Sequence, residues 1–244
     1  MSFPDGKRFA FSILDESISA PVESLRPIYS FLAELGMRTT IAVCPLTELD
    51  ATRRRSGQPS LDDPAYLDFI LEYAEKGFEI AWFGATLDSN NRERTIEGLE
   101  RFRSILGRYP RLHTYYPLNR ENLYWGSDRV DHQLLKAVAQ RAGSTPPGYY
   151  LGSSTESSFW WGDICLQHID YVRNLTFDEV NLRRLNPSMP YQDPTRPYVR
   201  NWFSTAEAGS CRQLTRMLRP DRLARLEEEG GFCVVSTQLS NGFA

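Results

Sequence analysis

Apolar positions along this chain follow two alternating rhythms. Residues 8–14, 38–43, 78–83, 112–116, 148–151, 171–176, 198–203 and 232–237 form short apolar or alternating runs, and they predict strands. Segments 21–35, 64–76, 92–106, 130–141 and 221–229 repeat apolar residues at three- and four-residue spacing, and they predict helices. In the first of these Val22, Leu25, Ile28, Leu32 and Leu35 share one face; in the third Ile96, Leu99, Phe102 and Ile105 do so. Gly36, Gly77, Gly107 and Gly143 each sit just past a predicted helix, where a C-terminal stop is expected. Strand–helix units recurring at roughly 35-residue spacing predict parallel strands joined by right-handed crossovers. The fold class is therefore α/β, either an open doubly wound sheet or a distorted (β/α) barrel. The barrel is preferred because no Gly-rich phosphate loop follows the first strand, and because polar or aromatic residues recur at strand ends.

From about residue 145 to 212 the rhythm weakens, and Ser, Pro, Asn and aromatic residues predict long loops of the kind that carry substrate contacts. Neither a linker nor an internal repeat divides the chain, so residues 1–244 are expected to form one domain. Only residues 238–244 follow the last predicted strand, so the expectation is a barrel domain lacking its closing C-terminal helix.

Net charge is −3, from 28 basic and 31 acidic residues, so no basic excess points to nucleic acid. The run Arg53-Arg54-Arg55 reads as a solvated loop. Cys44, Cys165, Cys211 and Cys233 form no paired motif, and reduced thiols are expected. The N-terminus carries no apolar signal segment, and no apolar stretch is long enough to span a bilayer. A cytoplasmic location without membrane insertion is the expectation; the oligomeric state stays open.

The first predicted strand ends at two adjacent carboxylates, Asp15 and Glu16. Barrel enzymes place their chemistry at strand C-termini, so this pair is the leading candidate for a general base and a metal ligand or orienting group. Neighbouring strand residues point to opposite faces, so both reach one site only if the chain turns directly after the strand. The alternative is helix capping before Pro21, for which Ser19 is better placed. The aromatics Tyr115, Tyr116, Trp160 and Trp161 follow strands or lie in mouth-side loops and suit a sugar ring, although plugging of the mouth accounts equally for Trp160 and Trp161, next to Phe159. Trp202 reads as core. Arg173, Asn174, Arg196 and Arg200 form a cationic group that fits an acidic sugar or pairs internally with Asp163, Asp193 or Asp178. His113, His132 and His168 show no ligand spacing and read as structural. No nucleophile elbow occurs, which sets serine hydrolase chemistry aside.

Several stretches, in order along nearly the whole chain, resemble the polysaccharide-deacetylase-like (NodB-type) superfamily and, more closely, its WbmS-like surface-polysaccharide subgroup. They include Phe11-Ser-Ile-Leu-Asp-Glu16, Gly77-Phe-Glu-Ile-Ala81, Glu121-Asn-Leu-Tyr-Trp-Gly126, Trp161-Gly-Asp163, Tyr171-Val-Arg-Asn174, Met189-Pro-Tyr191 and Arg196-Pro-Tyr-Val199. The resemblance implies a distorted barrel of about seven parallel strands and metal-dependent hydrolysis of an N- or O-acetyl group on a sugar. It makes Asp15 the base and puts Glu16 in the metal-ligand position. It also implies histidines where this chain has Phe83 and Leu87, and others near Tyr115-Tyr116 and Gln238, all of which are lacking. Zinc and related ions need several strong donors, and phenylalanine and leucine supply none. Asp15, Glu16 and Asp163 would leave only an oxygen set of the kind that suits Mg or Ca.

Three functions remain in play. The first is a carbohydrate-directed protein serving surface-polysaccharide (O-antigen) assembly, impaired or non-catalytic, with no resident Zn, Mn, Co or Mg. Its partner would be a sugar or polysaccharide precursor, contacted by Tyr115, Tyr116, Trp160, Trp161, Arg173, Asn174, Arg196 and Gln238. The second is an active deacetylase or glycoside-cleaving hydrolase using Asp15 and Glu16 or Asp163 without zinc. The third is an interaction scaffold.

Overall fold

The computed structural model describes residues 3–48, 59–129, 146 and 148–241. Seven strands run parallel in sequence order: β1 (Ala10–Asp15), β2 (Thr40–Val43), β3 (Glu79–Trp82), β4 (Leu112–His113), β5 (Tyr171–Phe177), β6 (Asn201–Ala208) and β7 (Phe232–Thr237). β7 pairs with β1 from Ala10↔Phe232 to Asp15↔Thr237 and closes the barrel. The described residues contain the helices α1 (Val22–Glu34), α2 (Pro64–Glu75), α3 (Arg92–Leu106), α4 (Gly162–His168), α5 (Cys211–Met217) and α6 (Pro220–Glu228). The barrel expectation therefore holds.

Local chemistry explains most boundaries. Asp63 caps α2, accepting from the Ala65 amide at 3.0 Å with Pro64 at the first helical position, and Asn91 caps α3 through the Arg94 amide at 3.0 Å. Gly107 ends α3 in the left-handed region at φ 71°, a conformation open to glycine.

Three expectations change. Residues 148–151 form no strand: Tyr149 and Tyr150 are anchored by their hydroxyls on the Leu118 and Pro117 carbonyls, and one bond from the Leu151 amide to Arg120 replaces a ladder. Ser19 does not cap α1; Pro21 stands at the N-cap without a side-chain bond. α4 and α5, seven residues each, were not expected, because two helical turns give too little periodicity to register. The predicted helix at 130–141, Arg53-Arg54-Arg55 and His132 lie outside the described residues.

Strand side chains alternate between two environments. One set packs against the helices: Ile41, Val43, Ile80, Trp82, Val172 and Trp202 join Leu25, Tyr29, Phe69 and Phe102. The other set fills the lumen in two clusters that share Leu112. Ala42, Cys44, Ala81 and Phe83 belong to one; Leu14, Phe203, Phe232 and Val234 belong to the other. The lumen is thus apolar in its lower and middle layers, which frames the polar layer above.

Candidate functional site

The alternation separates the two leading carboxylates. Leu14 points into the lumen, so Glu16 follows it there, while Asp15 points outward to the helical layer. The contacts agree. Asp15 Oδ2 accepts from the Tyr29 hydroxyl of α1 at 2.7 Å. Its Oδ1 accepts from the Ser17 hydroxyl at 2.6 Å, the Ser17 amide at 3.1 Å and the Leu239 amide at 3.0 Å. Tyr29 is fixed for this by ring contacts with Phe69, Tyr73 and Phe78. Burial raises the Asp15 pKa, against the lowering effect of these four bonds. Asp15 therefore ties β1 to α1 and to the segment after β7.

Glu16 closes the lumen. Its Oε2 accepts from Arg173 Nη1 at 2.6 Å and from the Ser236 hydroxyl at 2.7 Å, and its Oε1 accepts from the Thr114 hydroxyl at 2.5 Å. Arg173 also donates to the Tyr115 carbonyl at 3.2 Å and lies over the Tyr115 ring at 4.8 Å. The paired side chains are only 11% and 8% exposed. Burial works against the Arg173 charge, but Glu16 and Tyr115 together more than offset it and the arginine pKa is raised. One ion pair thus joins β1, β5, β7 and the end of β4 across the barrel top.

The other expected site residues separate into distinct places. Asp163, at the first turn of α4, is held by both Arg92 Nη atoms at 2.7 Å, which lowers its pKa, and Arg92 lies over the Trp160 ring at 4.6 Å. With the Asp163 side chain 42% exposed, this pair contributes at most about 1 kcal/mol. Arg173 is therefore bound to Glu16, and Asp163 to Arg92. Arg196 pairs with Asp193, and Arg200 bonds Asp170 at 3.0 Å. Trp161 is buried and donates to the Glu121 carbonyl at 2.7 Å; Trp202 is buried in the core, as expected. Tyr115 is buried with its hydroxyl on the Asn174 carbonyl and Arg129, so its ring is not a mouth platform. Asn174 donates to the Tyr191 hydroxyl at 2.7 Å, Tyr116 is partly buried, and Gln238 is exposed, accepting from Asn241 at 2.6 Å.

The residues present do not fit the metal centre that the resemblance implies. Both Glu16 oxygens are engaged by a cation and two hydroxyls, and Asp15 faces away with four donors on it. Phe83 and Leu87 lie in an apolar cluster with Ile18, Ala42, Cys44 and Ala81. Among the described residues no three His, Cys, Asp or Glu side chains group at metal-binding distance. His113 faces the helical layer, Nδ1 3.2 Å from the Trp82 carbonyl and edge-on to Trp161, and burial pushes its pKa down to about 3. It is neutral near pH 7.

Glu121 is a functional-type residue that the motif reading did not single out as a site. It is buried after β4, where Oε1 accepts from Asn90 and Asn119 at 3.2 Å, while Oε2 has no hydrogen-bond partner. With His113, Thr95 and Trp161 it lines an enclosed cavity of about 10 Å³. Burial pushes its pKa up to about 7. A carboxyl whose folded pKa lies above its ordinary 4.5 supplies stability below about pH 4.5 that is lost as pH rises through about 7. Glu121→Gln removes the charging step and keeps the accepting oxygen. The variant is expected to gain roughly 3 kcal/mol over the wild type between pH 5 and pH 8, read by urea unfolding at both ends. Its only sequence signal is a carboxylate between two asparagines, Asn119 and Asn122, in the loop after β4.

A second polar feature opens on the same end of the barrel. Glu48, which follows β2, Thr86, Ser89 and Asn90, which follow β3, Arg94 of α3, and Phe159 line a cleft of about 450 Å³. That volume lies in the range of small-molecule sites. Asn90 forms its wall and also bonds Glu121 behind it.

No protein-family profile matches the chain, and no curated protein matches it. Its fold is shared with solved structures. Puue allantoinase aligns with a TM-score of 0.52 and 13% identity, covering 98% of this chain and 80% of that one. A protein described as a polysaccharide deacetylase from Mycobacterium smegmatis aligns with a TM-score of 0.47 and 14% identity, covering 98% of this chain and 80% of that one. At such identity the likeness is one of fold. In this chain the barrel is closed and its top layer is sealed by an ion pair.

Proposed function

We propose that the chain is a carbohydrate-directed protein of deacetylase-like fold that binds its sugar without hydrolysing it, in the service of surface-polysaccharide (O-antigen) assembly of the WbmS-like kind. The observation that carries the reading is the Glu16–Arg173 pair. It occupies the lumen mouth and engages both Glu16 oxygens, so no carboxylate there is left to bind a metal or take a proton. The cleft between the β2 and β3 loops supplies what a sugar needs instead: amide, hydroxyl and charged groups beside the Phe159 ring. Arg120 stacks on that ring at 4.4 Å and holds it in place. A hydrolytic role for Asp15 is disfavoured because its lone pairs are spent on Ser17, Tyr29 and Leu239.

We also place the protein in the cytoplasm. Its four cysteines are free, and those buried at Cys44, Cys165 and Cys233 have thiol pKa values pushed up by burial, which suits a reducing compartment. No helix among the described residues is long and apolar enough to cross a membrane.

The test is binding of N-acetylated hexosamines and their oligomers by calorimetry, with acetate release followed in parallel. Saturable binding that weakens about tenfold in Phe159→Ala, with no acetate released, is expected. Acetate release that is lost in Asp15→Asn would restore the hydrolase reading, and absence of binding to any glycan would favour a scaffold.

A further inference from the structure

The lower end of the barrel is built differently from the mouth. Barrel lumens are ordinarily filled in layers by bulky side chains. Here the first lumen residue of β1 is the small Ala10, and a cavity of about 440 Å³ opens among the strand N-termini. Its walls are mostly apolar, with Leu112, Tyr171, Phe203, Phe232 and Val234 from the strands and Met189 from the segment leading into β6, and Glu79 and Arg111 are the charged groups beside them.

The rim carries charge that does not balance. Arg111 on the lining donates at 2.8 Å to Asp170, which lies behind it and also takes Arg200 at 3.0 Å, and Glu79, on the lining as well, acts on the Arg111 charge. Two carboxylates thus answer two arginines. Arg183, partly covered in the turn Leu182–Arg184, also lines the cavity. It donates to the Gly230 carbonyl at 3.3 Å and has no carboxylate partner among the described residues. The cavity is an apolar chamber with one cation in excess at its edge.

We propose that this chamber binds a small amphipathic monoanion, with an acyl chain or ring inserted into the lumen against Phe203 and Phe232 and its carboxylate on Arg183. The size lies within the range of ligand sites, and the apolar lining with a few polar groups is their usual make-up. With Glu79 answering Arg111, Arg183 keeps no carboxylate partner among the described residues and can take a carboxylate in a charge-assisted pair. The site lies at the opposite end of the barrel from the sugar cleft and goes beyond the function proposed there.

The experiment is calorimetric titration of the full chain with octanoate and with neutral 1-octanol. Saturable one-to-one binding of octanoate is expected, weakened about tenfold or more by Arg183→Gln, while 1-octanol binding is unchanged by that substitution. Ala10→Phe, checked for folding by circular dichroism, fills the chamber and is expected to abolish binding of both. Arg183→Gln lies on a partly covered turn and keeps the test open if Ala10→Phe does not fold. No saturable octanoate binding, or equal affinity for octanoate and 1-octanol, would overturn the proposal. So would octanoate affinity that neither variant alters. Sugar binding at the mouth is measured separately, so failure of one reading leaves the other standing.

Discussion

Removing one partner of the Glu16–Arg173 pair, by Glu16→Ala or Arg173→Ala, is expected to cost about 3–5 kcal/mol. Each substitution leaves an uncompensated charge in a lumen whose other layers are apolar, and Glu16→Ala also strands the Thr114 and Ser236 hydroxyls without their acceptor. For a domain of this size the loss corresponds to a fall in Tm of roughly 10 °C, read by thermal or urea unfolding. The double variant Glu16→Leu with Arg173→Met is expected to recover most of it, because removing both charges also removes the desolvation cost. A large positive coupling in the double-mutant cycle is the signature. A catalytic or metal-binding carboxylate behaves oppositely: it is held at a cost to stability, so its removal leaves the fold unchanged or firmer. The sign of the stability change on Glu16→Ala therefore separates a structural plug from an active site. Unchanged stability would contradict the plug.

Asp15 has the next largest expected effect. Asp15→Ala strands the Ser17 hydroxyl and amide, the Leu239 amide and the Tyr29 hydroxyl, all at buried positions, and is expected to cost about 3 kcal/mol or more. Asp15→Asn keeps one accepting oxygen for Ser17 and Leu239, and its amide can donate to Tyr29 if that hydroxyl turns to accept. A cost within about 1 kcal/mol is expected. The pH dependence follows from the raised pKa. Stability associated with protonated Asp15 is full below its ordinary 3.8 and is lost as pH rises through the folded value, so the wild type should lose ground to Asp15→Asn on going from acid to neutral pH. Urea unfolding of both proteins at two pH values checks it. A constant difference would mean that Asp15 titrates alike folded and unfolded.

Much of the fold was legible in the sequence because periodicity reports which face is buried. The α3 prediction and the structure share the same ends, and each observed strand begins or lies within a predicted run. The segment 148–151 looked like a strand because two tyrosines and a leucine follow a glycine. Its backbone pairs with a loop, a tertiary fact with no sequence signal. The site was harder to read. Asp15 and Glu16 are adjacent, and the two-residue alternation already implied that they point apart, but the direction of each depends on which face of β1 meets the lumen. That is settled by the closure of β1 against β7. The partners of Glu16 come from Thr114, Arg173 and Ser236, separated from it by roughly 100 to 220 positions, a pairing that no local pattern announces. That Phe83 and Leu87 offer no metal ligand, by contrast, was readable directly, because an apolar side chain cannot ligate a metal whatever the fold.

The central claim, a barrel mouth sealed by an ion pair with no seat for a metal, is tested most directly by elemental analysis. The protein would be purified without chelator and then followed by thermal unfolding with added Zn, Mn, Co and Mg. The account predicts substoichiometric metal and no shift in Tm with any of the four. Roughly one equivalent of a single metal, lost together with its Tm shift in Glu16→Ala, would contradict it and return Asp15 and Glu16 to catalytic candidacy.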